Sequence, residues 1–210
     1  MTDQPPVLDV RGLRVDFPGR HGTVTALSDV SLTIRPGEIL GVVGESGAGK
    51  SMTGLAVQGL LEPPGHIAGG EVWLNGRRID RLTEREMRKV RGREIGAIFQ
   101  DPLTSLNPLF TVGQQLTETI RLHLPLGRAE ARARAIELLA EVGIPAPAER
   151  VDHYPHQFSG GMRQRVVIAL ALAARPKLII ADEPTTALDV SIQAQITALL
   201  RRLCDDTARR

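Results

Sequence analysis

Gly44-Glu45-Ser46-Gly47-Ala48-Gly49-Lys50-Ser51 follows the spacing G-x-x-x-x-G-K-[ST], the spacing of a loop that wraps phosphate. Its glycines let the backbone curl until successive N–H groups face inward, and the start of a following helix adds partial positive charge. Lys50 would reach the β- and γ-phosphates of a nucleoside triphosphate, and the Ser51 hydroxyl would ligate Mg²⁺. Much later, Leu178-Ile179-Ile180-Ala181 runs directly into Asp182-Glu183. A carboxylate at Asp182 could hold Mg²⁺, directly or through water, and Glu183 could polarise an attacking water as general base. Gln100 closes a second apolar run, Ile95 to Phe99, where its amide could ligand the metal or orient water. Ser159-Gly160-Gly161 supplies a hydroxyl and two glycines ahead of an apolar stretch, a second possible anion site without a lysine.

Such residues need particular elements behind them. Glu38 to Val43 is apolar and short, and its pattern predicts a buried strand feeding the glycine loop. Ser51 to Leu61 lacks proline and predicts the helix that leaves it. Leu178 to Ala181 reads as a strand inside a parallel sheet, delivering Asp182 at its carboxyl end, where ligands sit in doubly wound sheets. Pro184 disfavours the helical conformation at Glu183 and predicts an extended backbone there. Met162 to Ala174 is apolar nearly all round and predicts a buried helix, and Asp189 is placed to cap a last one.

Elsewhere the patterning is local. Val7 to Phe17, Thr23 to Leu27 and Val30 to Ile34 alternate as half-buried strands. Phe17 stands where an aromatic could stack on an adenine ring, although its spacing alone favours a place in the core. Pro63-Pro64-Gly65 and Gly69-Gly70 bracket a loop, Glu71 to Leu74 predicts a strand, and Asn75-Gly76 a hairpin turn. Thr83 and Glu86 form a capping box. Asp101 to Pro108 reads as a loop. Val112, Leu116, Ile120 and Leu124 mark one amphipathic helix, and Arg128 to Val142 another that stops at Gly143. Residues 101–158 therefore read as a helical insertion. It separates residues 1–100, a β subdomain and the first part of a nucleotide-binding core, from residues 159–210.

Composition narrows the class. The 210 residues can bury a full core, and 26 basic against 24 acidic residues leave a net charge of +2 without a basic block. No nucleic-acid partner is therefore expected. A single cysteine, Cys204, excludes an internal disulfide. The first residues carry no signal-peptide pattern. The longest apolar run, Val166 to Ala174, has nine residues, against about 20 for a membrane-spanning helix. Any membrane role is expected to be peripheral.

Taken in order, Gly44 to Ser51, Gln100, Phe158-Ser159-Gly160-Gly161-Met162, Leu178 to Glu183 and Thr186-Ala187-Leu188-Asp189 resemble the Walker A, Q-loop, signature, Walker B and D-loop motifs of ABC transporter ATPase domains. Phe99-Gln100-Asp101-Pro102, Ser105-Leu106-Asn107-Pro108 and Tyr154 to Arg165 resemble the wording of the dipeptide, oligopeptide and nickel importer subfamily, in which methionine at position 162 also replaces the commoner signature glutamine. The resemblance covers nearly the whole chain. It implies an α/β P-loop NTPase of ABC type, with a mostly parallel core sheet, an N-terminal antiparallel β subdomain and a helical insertion. It implies ATP and Mg²⁺ as ligands, with Ser51, Gln100 and Asp182 around the metal. It further implies a head-to-tail pair of ATPase subunits in which Ser159, Gly160 and Gly161 of one meet the γ-phosphate held by Lys50 of the other. Phe17 becomes the adenine-stacking aromatic. Transmembrane permease subunits become the partners, coupled through Gln100 and the helical insertion, and the cytoplasmic face of the inner membrane becomes the location. His153 and His156 are expected to be structural.

One departure stands out. The family carries a switch histidine on a strand after the last helix, and none of His21, His66, His123, His153 or His156 is placed for that role. The expectation is a C-terminally truncated product or fragment, or a chain that binds ATP and hydrolyses it poorly. The other readings are a nucleotide-binding module without efficient turnover and a soluble, non-transport ABC ATPase.

Overall fold

A computed structural model describes residues 5–99, 101–185 and 190–208. The chain divides into two compact units, Met1–Arg91 with Leu203–Arg210, and Gly92–Arg202.

In the first unit, β1 (Leu8–Gly19) and β2 (Gly22–Ile34) form an antiparallel hairpin closed across Gly19 and Gly22. The two runs read separately as Thr23–Leu27 and Val30–Ile34 are thus one strand. A nine-residue helix, α1 (Lys50–Gln58), follows, then β3 (His66–Leu74) and the two-residue β4 (Arg77–Arg78). The sheet order is β2-β1-β3-β4. Leu8, Val10, Leu13 and Val15 of β1 are buried with Val72 and Leu74 of β3, as an alternating strand with one covered face requires. β3 begins earlier than its apolar pattern shows, because Gly69 and Gly70 lie within it. Gly70, at φ 86°, approaches the carbonyl of Gly12 so closely that a side chain would collide with it. The β1–β3 register shifts between Arg11 and Arg14, so these glycines mark a bulge rather than a loop. Asn75 and Gly76 both take positive φ, as the two-residue hairpin turn demands. The Thr83–Glu86 capping box opens α2 (Glu84–Val90), which buries Met87 and Val90.

The expected strand over Glu38 to Val43 does not form. Those residues have no regular structure, and Ile39, Leu40, Val42 and Val43 are 56, 41, 56 and 93% exposed. No described strand pairs with them, so nothing fixes an extended ladder.

In the second unit, β5 (Ile95–Ile98) and β6 (Leu178–Ala181) pair in parallel from Ile95–Leu178 to Ile98–Ala181. The helices are α3 (Pro102–Ser105), α4 (Val112–His123), α5 (Arg128–Glu141), α6 (Pro147–Arg150), α7 (Gly160–Leu172) and α8 (Val190–Ala208), the last belonging to this unit through Arg202. α3 lies in the stretch read as loop, with Pro102 at its first position, where its missing N–H costs nothing. Leu116 and Ile120 of α4, Leu138 and Leu139 of α5, and Ile168 of α7 are all fully buried. Thr111 caps α4 by accepting a 3.2 Å hydrogen bond from Gln114 N. Gln100 and Thr186-Ala187-Leu188-Asp189, with the cap assigned to Asp189, lie outside the described residues.

Candidate nucleotide-phosphate site

The glycine loop lies in the first unit and is solvent-exposed from Gly44 to Ala48. A turn closed by Ala48 N donating to Glu45 O at 3.2 Å sets its shape. Gly47 and Gly49 take φ of 84° and 86°, a region that favours glycine. Gly49 is also required by space, since a Cβ there would lie 2.5 Å from Leu27 Cδ2 of β2. β2 therefore backs the loop just where α1 begins. Lys50 Nζ folds back over the loop, donating to Gly44 O at 2.7 Å and Glu45 O at 2.8 Å. Its ammonium is held at the mouth of the curl rather than swung into solvent. Ser51 follows in the first turn of α1, whose backbone start is reinforced by Thr53 Oγ1 donating to Gly49 O at 3.0 Å. Exposed N–H groups, a lysine ammonium and a hydroxyl at one helix start form a cradle for a polyphosphate. Ser51 offers the hard oxygen that Mg²⁺ prefers.

Phe17 lies on β1 opposite Val24 and is half-buried. Val15, two residues earlier, pairs with Leu27, the residue that backs Gly49. Phe17 thus stands about 7 Å further along the strand from the loop's support.

In the second unit, Asp182 N donates to Ile98 O at 2.9 Å, extending the β5–β6 pairing by one residue and fixing the half-buried aspartate at the strand's carboxyl end. Glu183 is exposed, with φ 44°. The extended backbone expected there is not what forms. Proline at the next position disfavours right-handed helical geometry, and Glu183 takes positive φ instead of the extended backbone that proline favours. A left-handed non-glycine residue costs of order 1–3 kcal/mol and is common at functional sites. Ser159 caps α7, its Oγ accepting from Met162 N at 3.4 Å, and is itself exposed. A Cβ on Gly161 would lie 3.0 Å from Ile192 Cγ2 on α8, so α8 packs closely against this turn.

His153 meets Phe158 edge-on at 6.2 Å between ring centroids, and His156 stacks on Tyr154 at 5.7 Å. Both histidines are thus engaged in ring packing. Among the described residues, no group of three or more His, Cys, Asp or Glu could hold a metal, and no helix is long and apolar enough to cross a membrane. Two supports carry no signature of their own in the sequence: Leu27 behind Gly49, and Gly65, where a Cβ would lie 2.6 Å from Phe17 Cζ. The only signal for the second was a glycine whose turn did not obviously need one.

Comparison with known proteins points one way. The sequence profile described as ABC transporter matches residues 27–186. The chain is 54% identical over 94% of its length to the oligopeptide transport ATP-binding protein OppD of Bacillus subtilis (strain 168), covering 55% of that protein. It is 51% identical over 94% of its length to the dipeptide transport ATP-binding protein DppD of Escherichia coli (strain K12), covering 60% of that one. It therefore spans little more than half the length of these relatives. Among solved structures, a dimeric post-hydrolysis state of the ATP-binding cassette MJ0796 bound to ADP and Pi superposes with a TM-score of 0.83 at 30% identity, over 96% of this chain and 84% of that one. With the family profile matched over most of its length and the cassette fold shared, the chain belongs to the ABC transporter family.

Proposed function

We propose that this chain binds ATP with Mg²⁺ and hydrolyses it to energise import of peptides, or of nickel or related small solutes, through a membrane ABC transporter. The observation that carries the reading is Lys50, whose ammonium is held over the exposed curl of the glycine loop by two backbone carbonyls. The identity of more than half to proteins named for oligopeptide and dipeptide transport supports the substrate class.

Each residue has a distinct role. Loop N–H groups bind and orient the phosphates, and Lys50 holds the β- and γ-phosphoryl oxygens. Phe17 stacks on the base. Mg²⁺, when bound, would neutralise negative charge on the phosphates. Ser51, Gln100 and Asp182 offer its oxygen ligands. Glu183 accepts the proton of the attacking water. Ser159, Gly160 and Gly161 contact the γ-phosphate held by a second ATPase subunit, in a head-to-tail pair.

The partner on the membrane side is a pair of transmembrane permease subunits, which places the chain at the cytoplasmic face of the inner membrane as a peripheral subunit. Leu109, Phe110 and Tyr154 are 79, 48 and 40% exposed. Val112 N donating to His153 O at 2.9 Å ties the segments that carry them. An exposed aromatic and aliphatic patch of this kind is what a docking subunit covers.

ATP turnover by the concentrated chain, measured beside Lys50→Ala, tests the reading. Turnover abolished by the substitution supports it. Turnover and ATP affinity that both survive it would refute it.

A further inference from the structure

Gly65 does not need to be glycine for its backbone: its φ lies outside the left-handed region. The space around it explains the residue instead. A Cβ there would collide with Phe17 Cε1, lie 2.6 Å from Phe17 Cζ, and lie 2.9 Å from Glu62 O. The ring of Phe17 therefore rests directly on the Cα of Gly65.

The loop beneath the ring is pinned. Gly65 N donates to Glu62 O at 2.9 Å, and His66 Nδ1 lies 3.2 Å from Pro64 O. His66 opens β3 and pairs with Asp16, the residue beside Phe17 on β1. Loop and ring thus hang from the same pair of hydrogen-bonded strands. An added methyl would press on a backbone carbonyl on one side and on an aromatic ring on the other. Of the two, the half-buried ring turns about its side-chain torsions at less cost than the pinned loop moves.

We infer that Gly65 is a positioning residue for nucleoside recognition: it sets the plane of the Phe17 ring, and with it the affinity for the base but not for the phosphates. This rests on the proposed stacking of the ATP base on Phe17. The position along the strand fits, since Phe17 lies about 7 Å from the residue pair that backs Gly49. Ribose and α-phosphate would bridge that gap.

The test compares affinities for ATP and for inorganic tripolyphosphate, both with Mg²⁺, by calorimetry on the whole chain. The variants are Gly65→Ala, Phe17→Ala and the double variant. Gly65→Ala should weaken ATP about tenfold, the size of one lost base–aromatic stack. It should leave tripolyphosphate affinity within about twofold. In the Phe17→Ala background, Gly65→Ala should cost nothing further, because no ring remains to be displaced. Equal losses for both ligands, or additive losses in the double variant, would overturn the inference. A loss of ATP affinity in Phe17→Ala without one in Gly65→Ala would overturn it while leaving the stacking reading intact. Full ATP affinity in Phe17→Ala would sink the stacking reading itself, and the inference with it. Should Gly65→Ala fail to fold, the double variant should recover the share of the loss due to the ring, leaving only the 2.9 Å approach to Glu62 O, and a double variant no more stable than Gly65→Ala counts against the inference.

Discussion

Arg91 grips Glu84 with both prongs of its guanidinium, Nη1 to Oε1 at 2.9 Å and Nη2 to Oε2 at 2.7 Å. The same side chain donates from Nε to Gln58 O at 2.8 Å and from Nη2 to Gly59 O at 3.0 Å. It therefore caps the far end of α1, the helix whose first residue is Lys50, with a cation where the helix carries partial negative charge. Arg91→Ala should destabilise the chain by about 1–3 kcal/mol in urea unfolding, because the part-buried Gln58 carbonyl loses a charged donor. Arg91→Lys should restore less than half of that, since an ammonium cannot hold a carboxylate and two carbonyls in one plane. Full recovery with lysine would show that charge alone suffices.

The same grip makes a pH prediction. Hydrogen bonds from Arg91, then from Arg88, lower the Glu84 carboxyl from 4.5 to about 2. A carboxyl with a depressed folded pKa stabilises fully above its unfolded value and loses that contribution as pH falls through its folded one. Glu84 should therefore contribute at pH 5 and cease to do so between pH 4.5 and about 2. In Glu84→Gln, acid unfolding should be shallower over that window, and an unchanged acid limb would exclude the carboxylate as its source.

His123 acts in the same direction at higher pH. Its ring packs on Gly92, which has φ 79°, with no room there for a side chain, and Arg93 Nη1 donates to its carbonyl at 2.6 Å. Burial, and then the charge of Arg93, lower the imidazole pKa below 6.5. The unfolded chain then takes up the proton first, so stability should fall as pH drops below 6.5. Thermal unfolding of His123→Gln should lose that slope between pH 6.5 and 5.

At Glu183 two readouts separate chemistry from strain. Glu183→Gln should keep ATP affinity while lowering turnover by about 10²–10⁴, the usual contribution of a general base. Glu183→Gly should lower turnover likewise but raise the melting temperature, because glycine relieves the left-handed strain of about 1 kcal/mol or more. A glycine variant no more stable than the parent would show that the φ of 44° stores nothing.

Local signals were legible where the chain answers them alone. The Thr83–Glu86 box, the Asn75-Gly76 turn and the four-residue spacing of Val112, Leu116 and Ile120 each act within a few residues, and each forms as read. Glu38 to Val43 failed because a buried strand is defined by its neighbours, and an apolar run does not say whether a ladder exists on either side. Glu183 departs from its expected geometry because the bias from Pro184 is a preference for extended backbone, which the local chain overrides with a positive φ. At the site, residue types and order revealed the phosphate loop and the acidic strand end. What they could not reveal were the supports, Leu27 behind Gly49 and Gly65 beneath Phe17, because those contacts join residues 22 and 48 positions apart.

The bare run Ile39-Leu40-Gly41-Val42-Val43 has a practical side. It is uncharged, lacks proline, is rich in β-branched residues and lies open to water, the profile of a segment that templates intermolecular β-pairing. In a test tube, the 210-residue chain should be a colloidally difficult protein. Its light scattering should climb with concentration and with warming well below the unfolding midpoint, and a lysine at Val43, the most exposed of the run, should suppress that climb.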